Sequence, residues 1–396
     1  MPHPQPALVV AQSGGPTQVI NSSLAGVVEE ATRRGVPRIL GARFGIQGIL
    51  RHDFIDLAGL PSSIWPRLRT TPSAALGSCR RKLIPEEREA VLKTFMDLNV
   101  RYFLYIGGND SADTALSLHE AATTAGYDLR VVLVPKTIDN DLPGTDHCPG
   151  YGSTARFLAQ STQDAGMDTE AMRLSDPIKL IEVMGRDAGW LVAACTLGKY
   201  DEAQAPHIIC VPERPLDVDT FLGVVEAAYR RFGFVVAVVA ETIRDRSGNP
   251  VGAANDVQAA DAFGHLNVAG GAAVLTALIG RKLRLKARFD KPGTIQRMSM
   301  ALASPVDLNE AYAAGARAVA YAGEGLSGCM VGFARRQGPE YGCDLEPVDL
   351  RLVANQQRLL PPEFLGDDPF GLGAAFSSYA LPLIGDPILP YPRLPI

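Results

Sequence analysis

Two short segments combine glycine, carboxylate and lysine in a way that could support chemistry. Residues 107–111 and 135–141 each follow a short apolar run, at 102–106 and 131–134, that is typical of a buried strand. Loops of this kind at two strand ends suggest one site where a polyphosphate, a metal ion and a proton acceptor meet. These are the requirements of phosphoryl transfer, in which the protein mainly positions reactants and neutralises charge.

The first segment, Gly-Gly-Asn-Asp-Ser at 107–111, joins two glycines to an amide and a carboxylate. Glycine after a strand lets the backbone approach an anion, and the following helix N-terminus offers free N–H donors. The carboxylate of Asp110 is costly beside a phosphate unless a metal ion or a cation lies between them. In the alternative interpretation, Asp110 or Ser111 merely caps the helix expected at 112–125.

The second segment is Lys136 followed by Thr-Ile-Asp-Asn-Asp at 137–141. In an extended chain Asp139 and Asp141 point the same way, so they can share a cleft. One carboxylate could accept a proton from a sugar hydroxyl while the other positions a metal ion or water. Asp-Asn-Asp before Leu-Pro-Gly is also good turn chemistry, which is the alternative. Lys136 could neutralise phosphate charge; taken alone it would be a solvated surface lysine.

Two further strand ends carry polar side chains. Met184-Gly185-Arg186 follows the strand expected at 179–183, and Glu241 follows the one expected at 234–240. Arginine at the C-terminal end of a strand is well placed to bind a phosphate or a sugar. Each charge could be an ordinary strand-end residue, but four such strand ends together indicate one site.

Gly14 and Gly15 follow the apolar run at 7–11, and an amphipathic helical pattern begins at Ile20. Gly35 lies where a helix C-terminal glycine is expected. This is a strand, a glycine turn and a helix, a unit in which the turn can approach an anion. The alternative is that the two glycines simply make a turn.

The strand candidates alternate with helical patterns along the chain. A helix is expected at 219–231, and the remaining segment at 361–396 is rich in Pro and Gly and is expected to be irregular. Nearly all-apolar strands that alternate with helices indicate an α/β fold with parallel sheets covered on both faces. Beyond the strands already named, one more is expected at 207–211.

The chain has 396 residues, of which 46% are hydrophobic and 20% charged, so it is expected to form two domains. Its net charge of −5 indicates no nucleic-acid partner. The longest apolar stretch near the middle of the chain is too short to span a membrane, and the N-terminus is not expected to be a signal peptide. The six cysteines show no zinc-ligand spacing and are expected to be reduced thiols of a cytoplasmic protein.

As a set, these motifs resemble those of the 6-phosphofructokinases. They occur in that family's order and cover most of residues 7–335, ending in a late glycine-rich turn at 323–330. The segments that carry the resemblance are Gly14-Gly15, 107–111, 137–141, Met184-Gly185-Arg186, Ala240-Glu241 and Gly-Thr-Ile-Gln-Arg at 293–297.

The resemblance implies a role for each matching residue. Asp139 would be the base that takes the proton from the C1 hydroxyl of fructose 6-phosphate, with Asp141 supporting the metal or the catalytic geometry. Gly14 and Arg80, or Arg81 in its place, would contact the phosphoryl donor, and Asn109 occupies the family's magnesium position. The sugar phosphate would be bound by Thr137, Ile138, Asp139, Met184, Gly185, Arg186, Glu241, Thr294, Ile295, Gln296 and Arg297, the last of these holding the 6-phosphate.

The donor is implied by Asp110 and Lys136. Both positions are typically glycine in family members that use ATP, and both are charged in the pyrophosphate-dependent members. The carboxylate of Asp110 would repel the α-phosphate of a nucleotide, and the ammonium of Lys136 would pair with diphosphate oxygens. The resemblance thus implies catalytic roles for Asp139, Asp110 and Lys136, and Lys136 would also bind diphosphate. The implied reaction is a reversible, Mg²⁺-dependent transfer of a phosphoryl group from diphosphate. The alternatives are an ATP-dependent 6-phosphofructokinase and a non-catalytic regulatory subunit that binds sugar phosphates.

The sequence departs from the family's pattern at two places. Asn109 stands where the family usually has Asp, and an amide offers its oxygen to magnesium without a charge. Thr294 stands where His or Tyr is usual, and Met298-Ser299 replaces a glycine pair, so sedoheptulose 7-phosphate is a second possible acceptor.

The resemblance also implies two Rossmann-like domains of parallel-rich sheets flanked by helices, with the active site at the C-terminal ends of the strands. Residues 1–150 with about 296–345 would bind the phosphoryl donor, residues 151–295 would bind the sugar phosphate, and residues 346–396 would be a C-terminal extension wrapping the surface. A homodimer or homotetramer is expected.

Overall fold

The computed structural model of the chain describes residues 5–251 and 270–394. Outside this description lie residues 1–4, at the N-terminus that is not expected to be a signal peptide, and the last two residues of the expected C-terminal extension. The strands of the described part are β1 (Ala7–Gln12), β2 (Arg38–Ala42), β3 (Phe54–Asp56), β4 (Val100–Gly107), β5 (Arg130–Pro135), β6 (Ile178–Val183), β7 (Ile208–Cys210), β8 (Val235–Ala240), β9 (Ala287–Asp290), β10 (Cys329–Arg335) and β11 (Cys343–Asp349). Its α-helices are α1 (Ile20–Arg33), α2 (Ile46–Leu50), α3 (Ile64–Arg69), α4 (Pro85–Asp97), α5 (Asn109–Thr124), α6 (Tyr151–Ala171), α7 (Trp190–Ala194), α8 (Val218–Phe232), α9 (Gly271–Lys282), α10 (Pro305–Gly323) and α11 (Ala374–Ala380).

The chain divides into two compact units. Unit 1 comprises Met1–Ser153 and Arg297–Arg358, and unit 2 comprises Thr154–Gln296 and Leu359–Ile396. The boundary between the units at residue 358 falls within the segment at 346–396, and its expected role as a C-terminal extension wrapping the surface stays a prediction. Which ligand each unit binds stays a prediction.

Unit 1 is built on a seven-stranded sheet in the order β11-β10-β5-β4-β1-β2-β3. The five strands from β10 to β2 pair in parallel, and the edge strands β11 and β3 are antiparallel to their neighbours. All six residues of β1 are buried, and the five apolar ones at 7–11 alternate between two hydrophobic cores, one on each face of the sheet. The predicted parallel sheet with both faces covered is confirmed for this unit.

Unit 2 contains a smaller parallel sheet in the order β7-β8-β6-β9. Every residue of β8 is buried, and α8 packs Phe221, Leu222 and Val225 into the same core. Strand β8 confirms the strand expected at 234–240, and α8 confirms the helix expected at 219–231.

Helix ends follow local sequence signals. Gly35 lies just beyond the end of α1 with a φ of 71°, the left-handed conformation expected for a glycine after a helix. The segment at 361–396, expected to be irregular, contains α11 and two short 3₁₀ helices, Pro362–Phe364 and Leu381–Ile384. Of the helices in the described residues, none combines the length and the apolar character needed to cross a membrane.

Candidate active site

Three neighbouring strands of unit 1 bring the predicted loops to one edge of the sheet. Strands β1, β4 and β5 are adjacent and parallel, with Gln12 paired to Ile106 and Gly107 paired to Pro135. Parallel strands end at the same side of a sheet, so the segments that follow them lie side by side. The structure therefore brings the glycine turn after β1 together with residues 107–111 and 136–141.

The glycine turn after β1 is attached to the segment that carries Arg80. Gly14 has a φ of 77°, and its N–H donates to the carbonyl oxygen of Cys79 at 3.1 Å. Arg80 follows Cys79 directly and its side chain is exposed. Arg81 pairs instead with Glu87 in the first turn of α4. Contact of either arginine with the phosphoryl donor stays a prediction.

Lys136 is buried at the centre of this edge, with only 3% of its surface exposed. A Cβ added to Gly14 would lie 2.9 Å from the Nζ of Lys136, so the ammonium lies against the glycine turn. The backbone N–H of Lys136 donates to the carbonyl oxygen of Gly107 at 3.0 Å. The alternative of a solvated surface lysine is therefore wrong. Ile138 is 6% exposed, which leaves mainly its backbone available to a ligand.

Helix α5 begins directly after the glycine pair. Its N-cap residue is Gly108, so neither Asp110 nor Ser111 is the N-cap residue considered in the alternative interpretation. Asp110 lies half-buried in the first turn, where the helix dipole favours a negative charge. Ser111 is buried against Gly107.

The amide of Asn109 is hydrogen-bonded at both ends. Its Oδ1 accepts the N–H of Asn355 at 2.9 Å, and its Nδ2 donates to the carbonyl oxygen of Gln356. An amide oxygen has two lone pairs, so one position remains for a further donor or a metal ion. Magnesium binding by Asn109 stays a prediction, and the amide already has a structural function.

The segment with the two carboxylates is a turn, and the expectation of an extended chain is wrong here. Asn140 has a φ of 56°, a conformation that asparagine tolerates better than most residues, and its Oδ1 accepts the N–H of Cys148 at 2.9 Å. The hydroxyl of Thr137 accepts the N–H of Asp139 and donates to Asp141 Oδ1, both at 3.1 Å. Asp141 is 6% exposed and Asp139 is half-buried, so Asp139 is the more accessible carboxylate.

Unit 2 has its own polar strand ends. Strands β6 and β8 are paired up to Val183 and Ala240, and the N–H of Arg186 donates to Glu241 Oε1 at 3.2 Å. Gly185 between Met184 and Arg186 has a φ of 137°, which favours glycine. Burial raises the pKa of Glu241, although hydrogen bonds from backbone N–H groups and the charge of Lys291 oppose this.

The segment at 293–297 forms a 3₁₀ turn and is divided between the two units. Gln296 is fully buried in unit 2, where its Oε1 accepts the N–H of Met184 at 3.4 Å and its Nε2 donates to the carbonyl oxygen of Gly293 at 2.7 Å. Thr294 and Ile295 are exposed, Ile295 to 62%. Hydrogen bonds thus join Arg186 to Glu241 and Met184 to Gln296. The side chains of Thr294 and Ile295 are exposed to solvent.

Arg297 belongs to unit 1, where its guanidinium lies against the glycine turn after β1. A Cβ at Gly15 would collide with a guanidinium nitrogen of Arg297. Its role as a ligand of the 6-phosphate, implied by the resemblance, stays a prediction.

Two residues that support these loops were missed from the sequence. The hydroxyl of Ser78 donates to the carbonyl oxygen of Gly14 at 2.6 Å, and no local pattern signals this contact. Asp307 is buried, and its carboxylate accepts the N–H groups of Gly150 and Ser153, each at 2.8 Å. Burial raises the pKa of Asp307, and these hydrogen bonds oppose it. A Ser-Pro-x-Asp pattern at 304–307 is typical of a helix start and was the available signal.

Known proteins are similar to this chain in sequence and in fold. A family model described as phosphofructokinase matches residues 7–322. A pyrophosphate--fructose 6-phosphate 1-phosphotransferase from Xanthomonas campestris pv. campestris (strain B100) is 41% identical over 383 residues, which cover 95% of this chain and 91% of the relative. A crystal structure of pyrophosphate-dependent phosphofructokinase from Nitrosospira multiformis has 36% identity and a TM-score of 0.88, covering 98% of this chain and 94% of that one. Another from Marinobacter aquaeolei has 34% identity and a TM-score of 0.87, with coverage of 97% and 92%. The predicted fold is confirmed, and the chain belongs to the phosphofructokinase family.

Proposed function

We propose that the protein transfers a phosphoryl group from diphosphate to the C1 hydroxyl of D-fructose 6-phosphate, giving fructose 1,6-bisphosphate and orthophosphate. The observation that carries the choice of donor is the buried ammonium of Lys136 against Gly14. The names of the similar proteins, which are pyrophosphate-dependent, support the same choice.

Charge explains why diphosphate suits the edge formed by β1, β4 and β5. A small inorganic anion bound at the glycine turn receives the positive charge of Lys136, with Arg80 on the attached segment as a second cation. Asp110 on the neighbouring loop is a fixed negative charge. It would repel the additional phosphate of a nucleotide donor such as ATP. Lys136 binds the donor and Asp110 selects against nucleotides.

Asp139 is proposed as the proton acceptor. Its carboxylate is the more accessible of the two in the turn, and the hydrogen bond from its N–H to Thr137 holds its backbone in place. As the C1 oxygen of the sugar bonds to the phosphorus, the bond to the leaving phosphate breaks and Asp139 takes the hydroxyl proton. Asp141, buried and bonded to Thr137, keeps the turn in shape.

The strand ends of unit 2 are proposed to bind the sugar phosphate. Arg186 and Glu241 supply a cation and a carboxylate for sugar hydroxyls and phosphate, and Met184 and Gly185 supply the adjoining backbone. The segment at 293–297, held to Met184 through Gln296, is proposed to contact the 6-phosphate. Binding both reactants in fixed geometry supplies much of the catalysis.

The residues of unit 1 fit a magnesium ion. Magnesium prefers hard oxygen ligands, and the start of α5 offers the carboxylate of Asp110 and one lone pair of the Asn109 amide oxygen. When bound, Mg²⁺ supplies neutralisation of the phosphate charge. The proposed cellular location is the cytoplasm, and the proposed assembly is a homodimer or homotetramer, which light scattering of the purified protein measures.

Product formation with fructose 6-phosphate and magnesium tests the proposal directly, with diphosphate and ATP compared as donors. We expect fructose 1,6-bisphosphate with diphosphate alone, and formation of diphosphate from fructose 1,6-bisphosphate and orthophosphate in the reverse assay. Turnover with ATP would favour the ATP-dependent alternative. Binding of fructose 6-phosphate without turnover on either donor would favour the regulatory subunit.

A further inference from the structure

A short segment near the end of unit 1 joins the two loops that hold the proposed donor and base. Val353 is fully buried in the core of unit 1 and anchors the segment. Two residues later, Asn355 donates its N–H to Asn109 at 2.9 Å and its side-chain amide to Asp113 at 2.7 Å, so it contacts the first turns of α5. We call residues 353–358 the brace.

The other end of the brace is Arg358, which binds the turn that contains Asp139 and Asp141. Its guanidinium donates to the carbonyl oxygen of Asn140 from Nη2 at 2.8 Å and from Nε at 3.2 Å. Its Nη1 donates to the carbonyl oxygens of Thr145 and Asp146, both at 2.6 Å. The backbone N–H of Arg358 adds a bond to the carbonyl oxygen of Asp141 at 2.7 Å.

These contacts hold a backbone conformation that few residues other than glycine and asparagine adopt. Asn140 has a φ of 56°, and Arg358 binds the carbonyl oxygen of this residue through two nitrogens. The planar guanidinium offers five N–H donors in a rigid arrangement, which an ammonium on a flexible chain does not reproduce. Arg358 therefore holds the backbone carbonyl groups of Asn140 and Asp141, next to the proposed base.

We propose that Arg358 is a positioning residue for the phosphoryl transfer, acting through the turn at 139–146 and not by contact with a substrate. The inference rests on the proposed function, because it assigns Asp139 as the base. A base displaced by about 1 Å costs on the order of 100-fold in rate. The brace also joins the turn to Asn109 and Asp113, so it keeps the base and the start of α5 in fixed relation.

The test compares Arg358→Ala and Arg358→Lys with Arg351→Ala as a matched control. Arg351 lies seven residues earlier, pairs with Asp349 and has a side chain that is 73% exposed. We expect kcat with diphosphate to fall roughly 10- to 100-fold in both Arg358 variants while the KM for fructose 6-phosphate changes less than about threefold. Arg351→Ala should match the unmodified enzyme. Millimolar guanidinium chloride should restore part of the kcat of Arg358→Ala and leave that of Arg358→Lys unchanged.

Thermal melting of each variant is measured first, and kcat is compared at a temperature where all variants are folded. If Arg358→Ala does not fold, the kcat of Arg358→Lys relative to the unmodified enzyme tests the inference. A folded variant with unchanged kcat would overturn the inference, and so would a kcat that falls only in proportion to the unfolded fraction. An unmodified enzyme that makes no product from diphosphate would instead contradict the proposed function.

Discussion

At the scale of single residues, the most consequential finding is that Lys136 is inside the protein. Lysine is among the residues least often buried, because removing an ammonium from water is costly unless it is paired. Here the ammonium lies against Gly14, a position whose φ of 77° already favours glycine. A side chain at Gly14 would meet the ammonium, so the two residues together shape the space for a small anion.

Replacing Lys136 with Met tests the charge while keeping most of the packing. We expect kcat/KM for diphosphate to fall roughly 10- to 150-fold, since a hydrogen bond to a charged group contributes about 1.5–3 kcal/mol. Initial rates at several diphosphate concentrations measure this. Lys93→Met, on an exposed lysine of α4 paired with Asp97, is the control and should be unaffected. Full activity of Lys136→Met would show that Lys136 does not bind the phosphoryl donor.

Asp139→Asn tests the proton acceptor, because the amide keeps the shape and cannot accept the proton. We expect kcat to fall roughly 100- to 10,000-fold, the usual range for loss of a general base. Calorimetric binding of fructose 6-phosphate should persist with similar affinity. Asp128→Asn, at a carboxylate that is 62% exposed, serves as the control. Near-normal turnover of Asp139→Asn would mean that another group accepts the proton.

At the scale of elements, a buried charged cluster ties the turn at 139–146 to its neighbours. His147 is 2% exposed; its Nδ1 lies 2.9 Å from Asp146 and its Nε2 2.7 Å from Glu310 on α10. The groups that face this histidine are Asp146, Glu310, Arg335 paired with Asp146, Tyr341 bonded to Glu310, and Cys343 beside Tyr341. Burial alone would lower the pKa of His147, but the two carboxylates raise it to about 9.

This raised pKa predicts a pH dependence of stability. An unfolded histidine has a pKa of about 6.5, so the folded state holds an extra proton between that pH and about 9. The stabilisation is fully present below pH 6.5 and is lost as the pH rises through about 9. We expect the free energy of unfolding to fall by about 1–3 kcal/mol from pH 6.5 to 8.5.

Urea titrations at each pH measure this free energy, and His147→Gln is the comparison. Between pH 6.5 and 8.5 the free energy of unfolding of the variant should change much less with pH. The buried thiols, such as Cys148 with a pKa raised by burial to about 12, contribute mainly at higher pH. Equal slopes in both proteins would mean that His147 is not protonated in the folded state.

At the scale of the whole molecule, the final segment completes the core of unit 2. Phe370 packs in that core with its ring centroid 6.2 Å from that of Phe221 on α8, and its carbonyl oxygen accepts the N–H of Ile209 in β7 at 3.0 Å. Trp190 is buried, and its ring contacts Phe364 and Tyr379. Aromatic side chains of this segment therefore pack in the interior of unit 2.

Phe370→Ala should accordingly destabilise the protein by about 3–5 kcal/mol, the usual cost of removing a buried phenylalanine. The midpoint of urea unfolding, followed by tryptophan fluorescence, measures the change, since Trp190 lies in unit 2. Leu389→Ala, at a side chain that is 74% exposed, should change stability by less than about 0.5 kcal/mol. A small effect of Phe370→Ala would show that the segment is dispensable for unit 2.

Much of the site was predictable from local pattern. Apolar runs that end in glycine, lysine and carboxylate located the strand ends of β1, β4, β5, β6 and β8, and the structure confirms these strands. The conformation at 139–141 was mistaken, since the alternation rule applies to an extended chain and Asn140 has a positive φ. The turn alternative, based on Asp-Asn-Asp before Leu-Pro-Gly, was the better guide.

The sequence alone determined the α/β class, the order of the glycine loops and the membership of a family, because hydrophobic period and turn residues act over a few neighbouring positions. Only the tertiary structure decided that Lys136 is buried against Gly14, that Arg297 lies against Gly15, and that Arg358 holds the turn beside Asp139. Each of these contacts joins residues more than 100 positions apart. A local sequence pattern does not indicate which distant side chain packs against it in the folded protein.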